Sequence, residues 1–284
     1  MTFDYHEPAT VDEATHLLRG HGGDAVALAG GAAFAILYRQ GLIRPGHVVG
    51  LRRCEELRGI RLEGDALWSG ALATHREVER SEAVRSHHPA LAEAFARIAT
   101  VRIRHQATVG GNLAHADPAQ DPPPMLIALD AIARVAGPDG ARRDVPVERL
   151  FVDHLTTSLA DGELILGVSV PPVVAGTRAT YVKFLPASLD DYATVSVAAA
   201  VRLDGDGRVA SARVALGGAA PVPIRARAVE RALIGARPAP ALLRDAAELV
   251  RDEVDPLDGV RGSAAFKRDM ATVWTRRALE RLVA

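Results

Sequence analysis

Hydrophobic and polar positions over the first fifty residues predict strands and helices in turn. Thr10 and Glu13 have the spacing of a capping box, which indicates where the first helix begins. The pattern predicts an extended segment over 3–8, a helix over 10–18, a strand over 25–29, a helix over 32–40 and a strand over 47–51. This order is typical of a small parallel α/β unit, and such units usually bind ligands at the carboxyl ends of their strands.

The pattern then changes to one that favours antiparallel hairpins between helices. Turn residues at 63–65 and 137–140 separate short apolar runs, as in a hairpin. The predicted elements are strands over 60–62, 66–68, 132–135, 142–145 and 163–170, and helices over 74–80, 90–99 and 122–129.

Residues 173–178 form a predicted linker, beyond which strands precede helices. Strands are expected over 181–185, 195–203 and 209–216, and helices over 226–234, 240–252 and 263–282. We therefore predict an α+β fold: a first domain over 1–175, with subdomains of about 1–55 and 56–175, and a second domain over 176–284 with a three-stranded antiparallel sheet plus helices.

Composition narrows the classes of function. The 284 residues carry a formal net charge of −1 and the pI is about 6.8, so no general attraction to nucleic acid or anionic membrane is expected. The N-terminal residues lack the basic and apolar regions of a signal peptide, and no apolar stretch reaches membrane-spanning length. Cys54 is the only cysteine, which excludes a disulfide or a four-thiolate cluster within the chain. A cytoplasmic location is expected.

Two double glycines carry the candidate chemistry. Gly30-Gly31 lies between a strand and a helix, and Gly110-Gly111 lies between the polar residues Thr108 and Asn112. A backbone without side chains lets its N–H groups approach an anion closely. Two such turns far apart in sequence suit one long ligand that carries a diphosphate, although Gly30-Gly31 alone is equally consistent with a helix entry turn.

With their extensions, these turns resemble a known family. Ala29-Gly30-Gly31, the run Thr108 to Pro123 and Lys183 with Asp190-Asp191-Tyr192-Ala193 are similar to the FAD-binding medium subunit of molybdenum hydroxylases, the group that contains carbon monoxide dehydrogenase and xanthine dehydrogenase. The resemblance implies the two-subdomain FAD-binding fold of the vanillyl-alcohol-oxidase type. It also implies partners: a large subunit with the molybdenum cofactor and a small subunit with two [2Fe–2S] clusters, in a dimer of heterotrimers.

The resemblance also implies the cofactor and the residues that hold it. Backbone N–H groups of both turns would bind the FAD diphosphate, Asp121 would contact the adenosine end, Leu166 would lie beside the adenine or its ribose, Lys183 would lie near the flavin ring and Tyr192 would cover a flavin face. The implied FAD-binding residues are Ala29, Gly30, Gly31, Ala32, Ala33, Thr108, Val109, Gly110, Gly111, Asn112, Asp117, Asp121, Leu166, Lys183 and Tyr192; no catalytic residue and no metal ligand are expected on this chain.

Several of these residues have other interpretations. Asp117 could brace its loop, Asp121 could be the N-cap of the helix that starts at Pro122, and Lys183 could be a solvated charge. Leu166 and Tyr192 could simply be core residues. The chain also departs from the family pattern, because Ala32 and Ala33 stand where side chains with hydroxyl or imidazole groups are usual and Gln106 stands where arginine is common.

The sequence therefore predicts an oxidoreductase subunit that takes electrons onto FAD and passes them to NAD⁺, a quinone or another acceptor. Two alternatives remain open. One is a self-sufficient flavin reductase or oxidase, which would need its own substrate pocket and proton donor. The other is a subunit of the same complex that kept the fold and lost the flavin, as the alanines of the first turn would allow.

Overall fold

The computed structural model describes residues 3–186, 188 and 191–283, and Asp190 of the family motif lies outside them. The helices are α1 Val11–His21, α2 Ala32–Gln40, α3 His75–Arg80, α4 Glu82–His87, α5 Pro89–Ala96, α6 Val101–Gln106, α7 Val109–His115, α8 Pro122–Ala128, α9 Arg227–Leu233, α10 Pro240–Glu248 and α11 Ala264–Val283. The strands are β1 Asp4–His6, β2 Ala25–Leu28, β3 His47–Gly50, β4 Ile60–Glu63, β5 Ala66–Gly70, β6 Ile132–Ala136, β7 Arg142–Pro146, β8 Phe151–Asp153, β9 Thr156–Thr157, β10 Leu164–Val170, β11 Thr177–Phe184, β12 Val195–Leu203, β13 Val209–Gly217 and β14 Ile224–Arg225.

The first sheet is small and parallel, as predicted. Its order is β1-β3-β2, and β2 leads directly into Gly30-Gly31 at its carboxyl end. The Thr10 hydroxyl caps α1 by accepting from Glu13 N, while the Glu13 carboxylate accepts from Ala9 N. This first glycine turn therefore lies at the edge of the sheet where ligands of parallel units bind.

The second sheet is antiparallel, with the order β4-β5-β10-β6-β7. Its central strand, β10, contains a bulge: Ile165 pairs with Val135 and Gly167 pairs with Arg134, so Leu166 has no opposite residue. The bulge is a feature that the alternation of apolar residues did not predict.

The C-terminal sheet has the order β11-β12-β13-β14. Three strands were expected; the fourth, Ile224–Arg225, is two residues long and pairs with Ala215 and Leu216. Helices α9, α10 and α11 cover one face and form a separate apolar core with the strands. The other face contributes Tyr181, Ala198 and Ala215 to the core of the second sheet, so the C-terminal sheet packs on the preceding part of the chain.

None of the helices in the described parts of the chain has both the length and the apolar character needed to cross a membrane.

Candidate functional site

The two glycine turns lie against each other. A Cβ built on Gly30 would overlap the carbonyl oxygen of Gln106, which precedes the second turn by two residues. A Cβ built on Gly111 would lie 3.7 Å from the Cβ of Ala29. The two motifs, about eighty residues apart in sequence, therefore form one site, and Gly30 is required there because the backbones are too close for a side chain.

The first turn ends at the N-terminus of α2. Gly31 is the N-cap residue, in the left-handed conformation with φ of 75°, and it has no side chain to cap the helix. The first intrahelical bond runs from Ala35 N to Gly31 O, so α2 itself provides no acceptor for the amides of Ala32, Ala33 and Phe34. These N–H groups and the helix dipole favour an anion at this end of α2.

The second turn is the first turn of a helix, α7, and its amides already have acceptors. Val109 N donates to Ala73 O and Gly110 N to Ala71 O, both at 2.9 Å. Gly111 N donates to the Thr108 hydroxyl, and Asn112 N donates to Thr108 O. Each of these four N–H groups therefore has an acceptor within the chain, and contact of this turn with the FAD diphosphate stays a prediction. Their bonds hold α7 beside the first turn.

Gly110 permits this close packing. A Cβ on Gly110 would lie 2.6 Å from the Cβ of Ala71, a distance that real Cβ atoms do not adopt. Thr108 is the N-cap of α7, and its carbonyl oxygen also contacts Nε2 of the buried His75 at 3.2 Å. Thr108 therefore has a structural role in addition to the FAD contact that the sequence predicted for it.

The Asn112 side chain, in the second turn, has an unused hydrogen-bond acceptor in the described structure. Its Oδ1 is buried and has no hydrogen-bond partner among the described residues. A buried amide oxygen without a donor costs roughly 1–3 kcal/mol, so a ligand donor at this point would remove a penalty. The observation fits a bound cofactor beside the two turns.

Asp121 and Lys183 form a buried ion pair. Lys183 Nζ lies 2.9 Å from Asp121 Oδ2, and the two side chains are 1% and 4% exposed. The Tyr181 hydroxyl donates to Asp121 Oδ1 at 2.5 Å, and Lys183 Nζ also donates to Arg97 O. Both carboxylate oxygens are thus engaged by strand β11. Burial raises the pKa of the Asp121 carboxyl, while the Lys183 ammonium and the Tyr181 hydroxyl oppose that change.

The ion pair bears on the alternative interpretations of Asp121 as an N-cap and of Lys183 as a solvated charge. Asp121 does occupy the N-cap position of α8, but its side chain makes no capping hydrogen bond among the described residues, because both carboxylate oxygens bond strand β11 instead. Lys183 is not a solvated charge, because its side chain is buried between two parts of the chain. Their contact with FAD stays a prediction.

The carboxylates of Asp117 and Asp121 lie near the Tyr192 phenol. Asp117 Oδ1 accepts from Ala119 N at 2.8 Å and so braces its own loop, as the alternative interpretation proposed. Tyr192 is 39% exposed, so it is not a core residue, and the Arg261 guanidinium lies 5.2 Å from the centre of its ring. Burial and the nearby Asp117 carboxylate raise the pKa of the Tyr192 phenol. Arg261 in turn bonds Asp191, which holds this segment in place.

Leu166 is the bulged residue of β10. Its side chain is partly buried against the apolar core of the N-terminal part, and its carbonyl accepts from Ala71 N at 2.8 Å. It therefore supports residue 71, on which the second turn packs. Gln106 and Arg261 are site residues that the sequence did not assign; only the departure of Gln106 from the family pattern drew attention to it.

The sequence matches two known families of protein domains. Residues 1–173 match the family described as the FAD binding domain in molybdopterin dehydrogenase, and residues 180–282 match the CO dehydrogenase flavoprotein C-terminal domain. The chain belongs to this family. It is an oxidoreductase subunit that carries an FAD-binding domain, which confirms the resemblance, the fold and the cofactor expected for this chain.

Relatives of the molybdopterin dehydrogenase family match along almost the whole chain. The carbon monoxide dehydrogenase medium chain of Hydrogenophaga pseudoflava is 34% identical, with 98% of this chain and 96% of the relative covered. The xanthine dehydrogenase FAD-binding subunit of Escherichia coli O157:H7 is 30% identical, with 99% and 96% covered.

Solved structures agree. Carbon monoxide dehydrogenase from Hydrogenophaga pseudoflava, in a form that lacks the Mo-pyranopterin moiety of the molybdenum cofactor, superposes with a TM-score of 0.96 at 36% identity, covering 99% of this chain and 97% of that one. Quinoline 2-oxidoreductase from Pseudomonas putida 86 gives 0.92 at 28% identity, covering 100% and 97%.

Proposed function

We propose that the chain is the FAD-carrying electron-transfer subunit of a molybdenum hydroxylase. It receives electrons from [2Fe–2S] clusters on a small subunit and delivers them to NAD⁺, a quinone or another acceptor. A large subunit with the molybdenum cofactor oxidises the organic substrate. The proposed assembly is a dimer of heterotrimers, located in the cytoplasm.

One observation carries the proposal: the two glycine turns converge, with Gly30 packed on the backbone at Gln106. The N-terminus of α2 offers amides to an anion at this point, and Asn112 Oδ1 has no donor among the residues that the structure describes. A ligand with a diphosphate and several hydroxyl or amine donors satisfies both requirements. FAD is such a ligand, and the residues present therefore fit it.

The residues of the two turns have different proposed roles in binding FAD. We propose that the amides of Ala32 and Ala33 hold the diphosphate, with Ala29, Gly30 and Gly31 shaping the turn, and that Asn112 accepts from a ligand donor. Bound FAD supplies the one-electron and two-electron redox chemistry that amino-acid side chains lack. Thr108, Val109, Gly110 and Gly111 hold α7 in position beside the first turn.

We propose that the C-terminal domain contributes Lys183 and Tyr192 to the FAD site. The buried pair of Lys183 and Asp121 ties β11 to the loop before α8, and we propose that the Lys183 ammonium lies near the flavin ring. Tyr192, held by Arg261, is the exposed aromatic ring that can cover a bound flavin. Asp117 braces the loop, and Leu166 borders the site.

We propose domains over 1–175, with subdomains of about 1–55 and 56–175, and 176–284.

The test is to measure bound flavin in the purified chain and in the chain co-expressed with both partner subunits. We expect a flavin absorption spectrum, and release of FAD rather than FMN on denaturation. An absence of flavin from both preparations, even after incubation with excess FAD, would overturn the proposal and leave the scaffold alternative.

A second measurement addresses electron transfer. In the complex, reduction of the flavin by the organic substrate should require the iron–sulfur subunit, and the isolated chain should not oxidise that substrate. Substrate oxidation by the isolated chain would instead favour the self-sufficient reductase or oxidase. The acceptor is then identified by comparing rates of flavin reoxidation by NAD⁺ and by a quinone.

A further inference from the structure

Three histidines meet at one end of the N-terminal parallel sheet. His6 is the last residue of β1, His21 the last residue of α1, and His47 the first residue of β3. One ring nitrogen from each lies within 4.8 Å of the others. Each residue is partly buried, so the cluster lies at the surface without being fully exposed.

The three rings pack against one another: His21 and His47 are stacked, and His6 is tilted by 36° relative to His47. The centroids of His21 and His47 are 3.6 Å apart and those of His6 and His47 are 5.3 Å apart. His6 Nε2 lies 3.1 Å from His47 Nδ1, and the carboxylate of Asp4 lies 3.8 Å from the same nitrogen. Two nitrogens bound to one tetrahedral zinc ion at about 2.05 Å would be about 3.3 Å apart, so this pair already has the required spacing.

We propose that His6, His21 and His47 form a binding site for Zn²⁺. Imidazole nitrogen is a preferred ligand of zinc, and a set of three leaves the fourth tetrahedral position for water or for Asp4. His6 and His21 line a surface depression of about 570 Å³ that is open to solvent, so an ion can enter. Ten histidines occur in the chain, and among the described residues this is the group of three that meets the spacing of metal ligands.

The site would join the end of α1 to β1 and β3, two strands that already pair with each other. The strands of this sheet are three or four residues long, and His47 pairs with Ala25 at the start of β2, the strand that ends at the first glycine turn. A metal ion at this position fixes the end of α1 to β1 and β3. It is a structural site, at the opposite end of β2 from the proposed FAD turn, and does not depend on flavin binding.

The experiment uses the full chain without a polyhistidine tag, treated with a chelator and then titrated with Co²⁺ as a spectroscopic probe. We expect visible d–d absorption that saturates at one equivalent and is displaced by Zn²⁺. His6→Gln, His21→Gln and His47→Gln should each weaken Co²⁺ binding by at least about tenfold, because loss of even a supporting partner of a metal ligand costs roughly 10–100-fold.

His87→Gln is the matched control, since His87 is exposed at the end of α4 and lies outside the cluster. It should bind Co²⁺ as the unaltered chain does. Far-UV circular dichroism identifies any variant that fails to fold. A measurement on the unaltered chain avoids that problem: with one equivalent of Cu²⁺, the electron paramagnetic resonance spectrum should show coupling to several imidazole nitrogens. Absence of stoichiometric binding, or unchanged binding in the three cluster variants, overturns the proposal.

Discussion

Gly30 lies so close to the carbonyl oxygen of Gln106 that a side chain at position 30 would overlap it. This contact joins the first glycine turn to the second. The proposed FAD site therefore depends on a packing contact between backbones as much as on groups that face the ligand.

Gly30→Ala should separate the turns. Because the atoms that oppose the new methyl group belong to backbone, we expect a loss of stability of about 1–3 kcal/mol and little bound FAD. Chemical denaturation and the flavin content of the purified chain measure the two effects. Gly205→Ala is the control, since a Cβ there meets nothing within 4 Å, and it should retain FAD. Normal FAD content in Gly30→Ala would contradict the packing argument.

Asn112→Leu should have opposite effects on the two states of the protein. It replaces a buried oxygen that has no partner in the described structure, so the flavin-free chain should be as stable as before or more stable. FAD binding should weaken by roughly tenfold or more, because a hydrogen bond to the ligand is lost. Titration with FAD and thermal unfolding without it test both signs. Gln120→Leu removes another buried amide oxygen without a described partner and provides the comparison. Unchanged FAD affinity in Asn112→Leu would exclude the proposed contact.

Lys183→Met should be strongly destabilising, because it leaves the Asp121 carboxylate buried without its cation. Breaking such a pair from one side costs about 3–5 kcal/mol. The double variant with Asp121→Asn should lose less than the sum of the single losses, as measured in a denaturation cycle. Arg244→Met removes an exposed pair with Asp245 and should change stability by no more than about 0.5 kcal/mol. Equal effects of Lys183→Met and Arg244→Met would argue against the buried pair.

His75 should make stability depend on acidity. Burial lowers its pKa from 6.5 to about 4, with the Arg104 charge adding to the effect and the contact with Thr108 O opposing it. Between these values the unfolded chain binds a proton that the folded chain does not, so stability falls as pH is lowered from 6.5 to 4. The difference corresponds to about 3 kcal/mol.

His75→Phe keeps an aromatic ring against Phe95 and should reduce this dependence. Part of it should remain, because burial also lowers the pKa of His88 to about 4. Denaturation curves across this pH range provide the measurement, with the exposed His154→Phe as control. An unchanged slope in His75→Phe would show that His75 is protonated in the folded chain.

The sequence predicted most of the regular elements because their signals are local. Apolar periodicity located the hairpins and β10, and capping residues such as Thr74 marked helix starts. The short helices α4 and α6 were missed, since six residues give too little periodicity. A helix over Val109–His115 was also missed, because two glycines disfavour a helix and only the packing on Ala71 explains them.

The candidate site was predicted in outline and not in its bonding. The sequence indicated that Gly30 and Gly110 serve one ligand, yet it could not show which amides already have acceptors. It likewise assigned Asp121 and Lys183 to a cofactor with no sign that they bond each other across 62 positions. The sequence did not predict the cluster of His6, His21 and His47 for the same reason, since its members belong to three elements and form no motif.

Because of the bulge at Leu166, the packing of β10 depends on the number of residues in this strand. Leu164 and Leu166 face the N-terminal core, whereas Ile165, Val168 and Val170 face the central core. The extra residue shifts the alternation by one, so that the valines point the same way as Ile165. Deleting a single residue here would turn both valines towards the wrong core, while most substitutions at Leu166 would leave the phase intact. Evolution can therefore vary the kind of residue at this point in β10 more freely than the number of residues.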